Sequence, residues 1–338
     1  MAGESVIVVG AGSISGAWLP HIKSEGLNVL AVVDLNRKAA EAQIAKYELD
    51  AAAETDLDEA LAKGRPDFVL DLTIPEAHCQ VTCKALEAGC HVIGEKPMAA
   101  SMEQAKRMVA AAQRTGRMYM VSQSRRWDVH HQSVQAAIAG GAVGKLTAVN
   151  CDFYIGAHFD GFRIEMPSPL ILDMAIHQFD LARMMAGKDP LAVYAHEFNP
   201  AGSWYAGDAA ASCIFEMTDG VVFTFRGSWC SEGYQTSWNG DWEFIGEAGG
   251  LRYAQDKQPT VVRPDPQSKD FIRSRSETAV KLVDAAAVTM HGGLLEMLAF
   301  LREGTMPQTH CKDNIKSLAM VFAAMESART RRRVEIQV

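Results

Sequence analysis

The sequence predicts two domains: an α/β domain over residues 1–124, and an α+β domain over residues 125–338 whose sheet is large, open and mainly antiparallel. A length of 338 residues suits two domains of ordinary size. In the first part, short apolar runs alternate with helical segments, which is typical of a parallel sheet covered on both faces. In the second part, longer strand-like runs dominate, which favours an antiparallel sheet.

The first domain is expected to contain five strands, each a short apolar run bounded by turn or charged residues. These strands are Val6–Val9, Val29–Val33, Phe68–Leu72, His91–Ile93 and Met118–Val121. Helices are expected between them, and Gly89 and Gly116 stand at the usual C′ positions of two of these helices. Ser101 and Gln104 form a capping-box pattern that opens the helix ending before Gly116.

The second domain is expected to carry strands over residues 145–155, 191–198, 209–217 and 221–229. Asp219-Gly220 between the last two is a strong hairpin signal. Helices are expected over residues 129–139, 172–186, 292–303 and 312–329. The polar, proline-containing stretch 255–290 has no predicted structure.

Composition and charge argue against several classes of protein. A formal net charge of -8 repels phosphate backbones, so no nucleic-acid partner is expected. No basic segment precedes the first apolar run, and no apolar stretch reaches the length of a membrane span. We therefore expect a cytoplasmic protein with no membrane partner. The seven cysteines form no C-x-x-C pair, so neither a metal site nor a disulfide framework is predicted.

Residues 6–16 read VIVVGAGSISG, a strand that runs into a glycine-rich turn and then a helix. Glycines in such a turn let the backbone approach a pyrophosphate, which binds at the helix N-terminus. The residues expected to contact the phosphates are Gly10, Gly12, Ser13 and Ile14. The third position of the G-x-G-x-x-G fingerprint is Ser15, a small residue that still allows close helix–strand packing.

The second strand is closed by Asp34, 22 residues after Gly12. An acidic side chain there can accept hydrogen bonds from the adenosine ribose hydroxyls. Strand, glycine turn, helix, strand and Asp in this order predict a Rossmann dinucleotide-binding domain. Because Asp34 would repel a 2′-phosphate, NAD is expected rather than NADP. Arg37 is included in the expected cofactor site and lies close enough to weaken that preference.

A Gly94-Glu95-Lys96-Pro97 turn follows the fourth strand, at the edge of the sheet where ligands bind in open parallel sheets. This turn ends the stretch HVIGEKP at 91–97. Earlier in the sequence come Thr73-Ile74-Pro75 with His78, and the ALEAG stretch at 85–89. On these motifs the chain resembles the glucose–fructose oxidoreductase and inositol dehydrogenase (Gfo/Idh/MocA) family. The resemblance extends over nearly the whole chain.

The resemblance implies a cis peptide before Pro97, and it implies that Lys96 lies near the nicotinamide and the reacting hydroxyl. It also extends the expected cofactor site along the matching motifs. The cofactor residues added in this way are Thr73, Ile74, Pro75, His78, Glu95, Lys96 and Gln123.

Residues 172–180 read LDMAIHQFD, which places Asp173 and His177 four apart on one face of a predicted helix. The spacing alone also fits an ordinary surface pair. The family carries an Asp-x-x-x-His pattern here, and Ala175 replaces a glycine that is common between the two. The resemblance implies that His177 is the general base, that Asp173 orients it, and that the charge of Lys96 stabilises the developing alkoxide.

The expected substrate site consists of Lys96, Asp173 and His177 together with three further candidates, Arg126, Arg163 and Trp238. The two arginines match family positions near cofactor or substrate, and the tryptophan lies in an aromatic, polar stretch suited to a sugar ring. Solvated arginines and a packed tryptophan are the alternatives.

The resemblance also implies a homodimer or homotetramer formed through the open face of the second sheet. Aromatic residues 223, 225 and 229 are expected on that contacting face.

The sequence therefore predicts an NAD(P)-dependent dehydrogenase that acts on a secondary alcohol of a sugar or a cyclic polyol, such as a pyranose or an inositol. The same residues could reduce a keto sugar. A glycosidase of this fold, which oxidises the sugar transiently and then eliminates, is a second alternative. A non-catalytic nucleotide sensor is disfavoured because it has no need of Lys96, Asp173 and His177.

Overall fold

A computed structural model of the chain describes residues 3–338. The strands, in chain order, are β1 (Ser5–Val9), β2 (Asn28–Val33), β3 (Ala52–Glu54), β4 (Phe68–Asp71), β5 (His91–Glu95), β6 (Tyr119–Ser122), β7 (Leu146–Tyr154), β8 (Pro190–Phe198), β9 (Ala210–Met217), β10 (Val222–Ser228), β11 (Asp241–Gly246), β12 (Gly249–Tyr253), β13 (Thr260–Pro264), β14 (Arg275–Ala279) and β15 (Val334–Glu335).

The helices are α1 (Ser15–Ser24), α2 (Arg37–Tyr47), α3 (Leu57–Lys63), α4 (Pro75–Glu87), α5 (Met102–Thr115), α6 (Val129–Ala139), α7 (Ile176–Ala186), α8 (Thr289–Glu303) and α9 (Cys311–Thr330). A 3₁₀ turn covers Ser124–Trp127, and a π-helical segment covers Leu170–Ala175 directly before α7. None of the helices within residues 3–338 combines the length and the apolar character that a membrane crossing needs.

The first sheet has six strands in the order β3-β2-β1-β4-β5-β6, and every neighbouring pair is parallel. This is the predicted Rossmann-type sheet, and all five expected strands belong to it. Strand β3 and helix α3 were not expected. The three residues of β3, Ala-Ala-Glu, carry no strand-forming pattern, so their pairing with β2 decides their conformation.

The helix signals read from the sequence correspond to observed caps. The side chain of Ser101 accepts a hydrogen bond from the N–H of Gln104 and opens α5. Gly116 ends that helix in the left-handed conformation, as a C-terminal glycine commonly does. Helix α1 buries Trp18, Leu19 and Ile22, and these side chains belong to one hydrophobic core with the central strands.

The second sheet has nine strands in the order β14-β13-β12-β11-β7-β10-β9-β8-β15. Its pairs are antiparallel except β7 with β10, so the expected mainly antiparallel sheet is confirmed. The β9–β10 hairpin turns at Asp219 and Gly220, both with positive φ. Strands β11 to β14 were not predicted, and two of them lie in the stretch 255–290 that had no predicted structure.

The expectation that the aromatics at 223, 225 and 229 line the open face of this sheet is wrong. Phe223 and Phe225 are fully buried and make edge-to-face contacts with Phe179 of α7, while Trp229 lies beyond the end of β10 and is also buried. Side chains alternate along a strand, so the residues of β10 between Phe223 and Phe225 and on either side of them point to the open face. Two aromatic residues at positions i and i+2 share one face of a strand, but this spacing does not show whether that face packs on a helix or is exposed to a partner subunit.

The expected helix over residues 172–186 has two parts. Leu170–Ala175 is π-helical, and α-helical bonding begins only at Ile176. Asp173 therefore lies in the wider i→i+5 segment, and His177 lies in the first turn of α7. All eleven residues of α7 are buried, so this helix belongs to the core of the second unit.

The chain forms two compact units, and their division departs from the expected boundary at residue 125 in one respect. Ala286–Ile315 belongs to the first unit, together with the residues up to Trp127. Gly292 of α8 lies against Trp127 so closely that an added Cβ would fall 2.5 Å from the Trp127 ring. The backbone N–H of Val121 also donates to the carbonyl of Thr309. These contacts between distant segments have no local signature in the sequence.

Candidate active site

The glycine turn after β1 has two glycines with different surroundings. Gly10 has φ +103°, and a Cβ added there would lie 2.6 Å from the carbonyl oxygen of Leu72. A Cβ added at Gly12 would meet no atom within 4 Å. The fold itself therefore requires Gly10, whereas Gly12 leaves open space beside the backbone, as the approach of a pyrophosphate requires.

The start of α1 follows this turn. Its N-cap residue, Ile14, makes no side-chain capping hydrogen bond. The N–H groups of the first three helical residues instead donate to backbone carbonyls of the preceding turn, at 3.0 to 3.2 Å. The hydroxyl of Ser15 donates to the carbonyl of Gly12 at 2.6 Å, which explains how a serine is accommodated at the third fingerprint position. Ser13 is exposed on the same turn. A helix N-terminus of this kind suits a phosphate.

Asp34 is held in place at the end of β2. One carboxylate oxygen accepts from the N–H of Ala11 at 2.8 Å, and the other accepts from the N–H of Asn36 at 2.8 Å. The carboxylate thus links the glycine turn to the start of α2, where Arg37 is exposed as the first helical residue.

A cavity of about 450 Å³ lies along this edge of the Rossmann sheet. Among the residues lining it are Gly10, Gly12, Asp34, Leu35, Thr73 and Ile74. Leu35 and Ile74 are 96% and 64% exposed, although both are large apolar residues. Two exposed apolar side chains at one cavity suit a flat base, which buries them on binding.

The motif that begins at Thr73 joins the cavity to a buried polar cluster. Thr73 lines the cavity, and its hydroxyl donates to Asp71 at 2.6 Å. Pro75 is the first residue of α4. His78 is only 1% exposed, and its Nδ1 lies 3.1 Å from Asp71. His78 is therefore placed behind the cavity wall, where it holds the loop, rather than at the cavity surface.

The Glu95-Lys96-Pro97 turn contains the cis peptide that the resemblance implies. Glu95 is buried, accepts a hydrogen bond from the indole N–H of Trp18 at 2.8 Å and accepts another from the N–H of Lys96 at 3.1 Å. Burial raises the pKa of the Glu95 carboxyl above its usual value. The side chain of Glu95 thus fastens the turn to α1, while Lys96 stays partly exposed.

Gln123 follows β6 at the same edge of the sheet. Gln123 is only 1% exposed. Neither the nitrogen nor the oxygen of its side-chain amide has a hydrogen-bond partner among the described residues. A buried amide with both functions unmet matches a ligand that offers one donor and one acceptor. The carboxamide of a nicotinamide is such a ligand. Gln123, the open space at Gly12 and the fixed Asp34 together fit NAD.

Arg126 is committed to protein contacts within the first unit. Its guanidinium donates to the Asp313 carboxylate at 2.9 Å and to the Gln308 carbonyl at 3.1 Å. The side chain is almost fully buried. This geometry favours a structural role, because it ties the 3₁₀ turn after β6 to the start of α9. Its partners lie more than 180 positions away in sequence, so no local pattern could indicate them.

In the second unit, the structure brings Arg163 and Asp173 together. The Nε of Arg163 lies 2.5 Å from Oδ2 of Asp173. The guanidinium carbon lies 4.7 Å from the ring centre of Phe162 and 5.2 Å from that of Phe159. Two aromatic rings and one carboxylate thus hold this arginine in a fixed direction.

His177 follows Asp173 by four residues and is buried at the start of α7. The next acidic residue, Asp180, accepts a hydrogen bond from Ser317 of α9 at 2.6 Å, deep in the unit. Asp180 therefore anchors α9. Asp173 and His177 remain the candidate acid–base pair.

Aromatic residues extend from Arg163 across the second unit. Phe159 makes edge-to-face contacts with Trp229 at 5.2 Å and with Trp238 at 6.4 Å. Trp238 is 47% exposed, as a residue that stacks on a sugar would be before binding. Sequence reasoning missed Phe159, Phe162 and Leu35. The available signals were an aromatic pair three residues apart beside an arginine, and an apolar residue directly after Asp34.

Comparison with known proteins identifies the family of the chain. The model of the Gfo/Idh/MocA oxidoreductase family's NAD-binding Rossmann fold matches residues 5–123, and the model of that family's C-terminal domain matches residues 131–252. The chain belongs to the Gfo/Idh/MocA family of oxidoreductases and carries its NAD-binding domain.

Two relatives and one solved structure match over most of their lengths. A 1,5-anhydro-D-fructose reductase of Ensifer adhaerens is 24% identical, over 98% of this chain and 98% of its own. A D-apiose dehydrogenase of Paraburkholderia graminis is 28% identical, over 93% of this chain and 84% of its own. An oxidoreductase of Agrobacterium radiobacter, crystallised with NAD+, L-tartaric acid and magnesium, has the same fold. Its TM-score is 0.86 at 23% identity, and the match covers 98% of each chain.

Proposed function

We propose that this chain is an NAD-dependent dehydrogenase that oxidises a secondary alcohol of a sugar or cyclic polyol. The observation that carries the proposal is the retained acid–base set of the family. Lys96 lies on the turn after β5, and Asp173 and His177 lie at the junction between the π-helical segment and α7. A protein that only sensed nucleotide would have no use for these three groups.

Each residue of the set has a distinct task in the proposed reaction. When bound, NAD supplies the acceptor for the hydride that leaves the substrate carbon. His177 takes the hydroxyl proton as general base. Asp173 orients His177. The ammonium of Lys96 stabilises the negative charge that develops on the substrate oxygen.

The preference for NAD over NADP rests on Asp34. Both of its carboxylate oxygens accept backbone N–H groups, so the negative charge is fixed at the cavity that would receive the adenosine. A 2′-phosphate placed there would meet this charge, whereas ribose hydroxyls can donate to it. Arg37 reduces the repulsion only from the exposed start of α2.

The substrate class is inferred from the relatives and from the aromatic residues of the second unit. The relatives named above act, by their names, on 1,5-anhydro-D-fructose and on D-apiose. The half-exposed Trp238 beside Phe159 suits a sugar ring.

The test is a steady-state assay at 340 nm with the purified protein, NAD or NADP, and a panel of sugars, sugar acids and inositols. We expect NADH production with one substrate class and at least about tenfold higher kcat/KM with NAD than with NADP, a difference of about 1.4 kcal/mol. Protein that binds NAD tightly yet yields no NADH with any alcohol would contradict the dehydrogenase proposal. NADH consumption with keto sugars would then indicate a reductase, and glycoside cleavage without net NADH would indicate a glycosidase.

A further inference from the structure

The guanidinium of Arg163 has more hydrogen-bonding capacity than its contacts use. Its Nε is paired with Asp173, and its guanidinium carbon lies over the rings of Phe159 and Phe162. Among residues 3–338, neither of its terminal nitrogens donates a hydrogen bond to a protein acceptor. The side chain is only 31% exposed. The free edge of the guanidinium is therefore fixed in direction and only partly hydrated.

From this geometry we infer that the substrate of this enzyme is a sugar acid, and that Arg163 binds its carboxylate through the two terminal nitrogens. Two parallel N–H groups of a guanidinium match the two oxygens of a carboxylate. The aromatic rings hold the fork in place before binding, which lowers the entropy lost when the substrate is ordered. The inference rests on the proposed dehydrogenase function and names its substrate class.

The charge balance favours a carboxylate over the alternatives. The positive charge of Arg163 is already compensated by Asp173, so the pair is neutral overall before substrate binds. A singly charged carboxylate can be held by two charge-assisted hydrogen bonds, whereas a doubly charged phosphate needs additional cations. A neutral hydroxyl would use one donor and leave the other unmet in a partly buried position.

The test compares each hexuronate with the corresponding uronamide, which has nearly the same shape and no charge. For the wild-type protein we expect kcat/KM for the acid to exceed that for the amide by about 30-fold or more. Arg163→Gln should reduce this ratio to within about threefold of unity, and Arg163→Lys should keep an intermediate ratio because it retains charge without the fork. Arg114→Gln is the matched control, since Arg114 also pairs with a carboxylate, that of Glu87, but on the first unit.

The ratio of kcat/KM for the acid to kcat/KM for the amide separates carboxylate recognition from effects of the Arg163 substitution on Asp173. Loss of the Arg163–Asp173 pair would slow acid and amide alike, and only a change in their ratio reports carboxylate binding. Calorimetric titration of the uronate into the NADH-loaded protein gives a second readout that does not depend on turnover.

Three results would overturn the inference: equal turnover of acid and amide by the wild-type protein, a ratio unchanged in Arg163→Gln, or a clear preference for a sugar phosphate. In each of these cases the dehydrogenase proposal still stands. If no alcohol is oxidised, the dehydrogenase proposal fails. Uronate binding that Arg163→Gln abolishes would then still support the assignment of Arg163, and absence of uronate binding would reject it.

Discussion

Gly10 and Gly12 are two residues apart in the same turn, but the structure needs them for different reasons. Gly10 has a positive φ and lies against the backbone of Leu72, so a side chain there disturbs the fold. Gly12 has no neighbour within 4 Å of an added Cβ, so a side chain there would occupy only the space left for ligand.

We expect Gly10→Ala to lower the free energy of unfolding by about 2–4 kcal/mol, because the added Cβ meets both backbone strain and a close contact. We expect Gly12→Ala to change it by less than about 1 kcal/mol and to weaken NAD binding about tenfold or more. Urea denaturation and calorimetric titration of NAD measure the two effects. A Gly12→Ala variant that binds NAD normally would contradict the assignment of the turn to the cofactor phosphates.

The predictability of single residues depends on how far apart their partners are in sequence. The position of Asp34 beside the glycine turn could be predicted, because the two are separated by a fixed local spacing within one strand–helix–strand unit. The contacts of Arg126 could not, because its partners, Gln308 and Asp313, come from a segment that joins the first unit from far along the chain. The Arg163–Asp173 pair depends on the path of an irregular loop, which hydrophobic periodicity does not encode.

At the scale of elements, periodicity predicted five of the six strands of the Rossmann sheet but not every side-chain orientation in the second sheet. The sequence does not indicate which side chains of β10 are buried, because a period of two marks two faces without indicating which one a helix covers. The π-helical segment before α7 could not be predicted, since its residues have no pattern distinct from an α-helix.

Strand β8 carries a carboxyl group whose titration links pH to stability. Glu197 lines a cavity of about 510 Å³ with Ser168 and Asp208. Burial raises the pKa of Glu197 to about 7, and the negative charge of Asp208 adds to the increase, while a hydrogen bond from Ser168 opposes it. The folded state therefore binds this proton more tightly than the unfolded chain does. The stability gained from the proton is present at low pH and is lost as pH rises from about 4.5 to about 7.

Glu197→Gln is expected to remove this pH dependence, because the amide stays neutral. The free energy of unfolding of the variant minus that of the wild type should rise by about 1–2 kcal/mol from pH 5 to pH 8. This value is reduced because Glu197 is partly exposed. Urea denaturation of both proteins at the two pH values provides the comparison, and other titrating groups cancel in the difference. The same stability difference at both pH values would show that Glu197 does not titrate in this range.

At the scale of the whole molecule, the nine-stranded sheet exposes a row of large apolar side chains on one of its faces. The register places Tyr194 beside Ile214, and Ile214 beside Thr224, in one row across this open face. Tyr194, Ile214 and Ile245 are large apolar residues exposed on it. We propose that this face forms a homodimer or homotetramer interface, because an exposed apolar patch on a sheet is stabilised by a second sheet.

Ile214→Asp should dissociate the proposed oligomer, because it places charges at the centre of a desolvated surface. Light scattering coupled to gel filtration measures the mass, and we expect at least a dimer for the wild type and a monomer for the variant. Met306→Asp is the control, since Met306 is exposed and apolar but lies in the first unit. A monomeric wild-type protein at micromolar concentration would contradict the proposed interface.

The two sheets and their classes were predictable because each class imposes its own hydrophobic pattern on long stretches of sequence. The composition of the two compact units was not. Helix α8 is an ordinary amphipathic helix in sequence, and only its close packing with Trp127 assigns it to the first unit.

The proposal that Lys96 and His177 carry the chemistry of an NAD-dependent dehydrogenase can be tested by measuring turnover of Lys96→Met and His177→Ala. The measurement is kcat on the best substrate at saturating NAD, with NAD affinity determined separately and Lys106→Met, an exposed lysine of α5, as control. We predict that kcat falls by about 10²–10⁴-fold in each variant, while NAD affinity changes by less than about threefold. Full turnover in either variant would contradict the assigned roles.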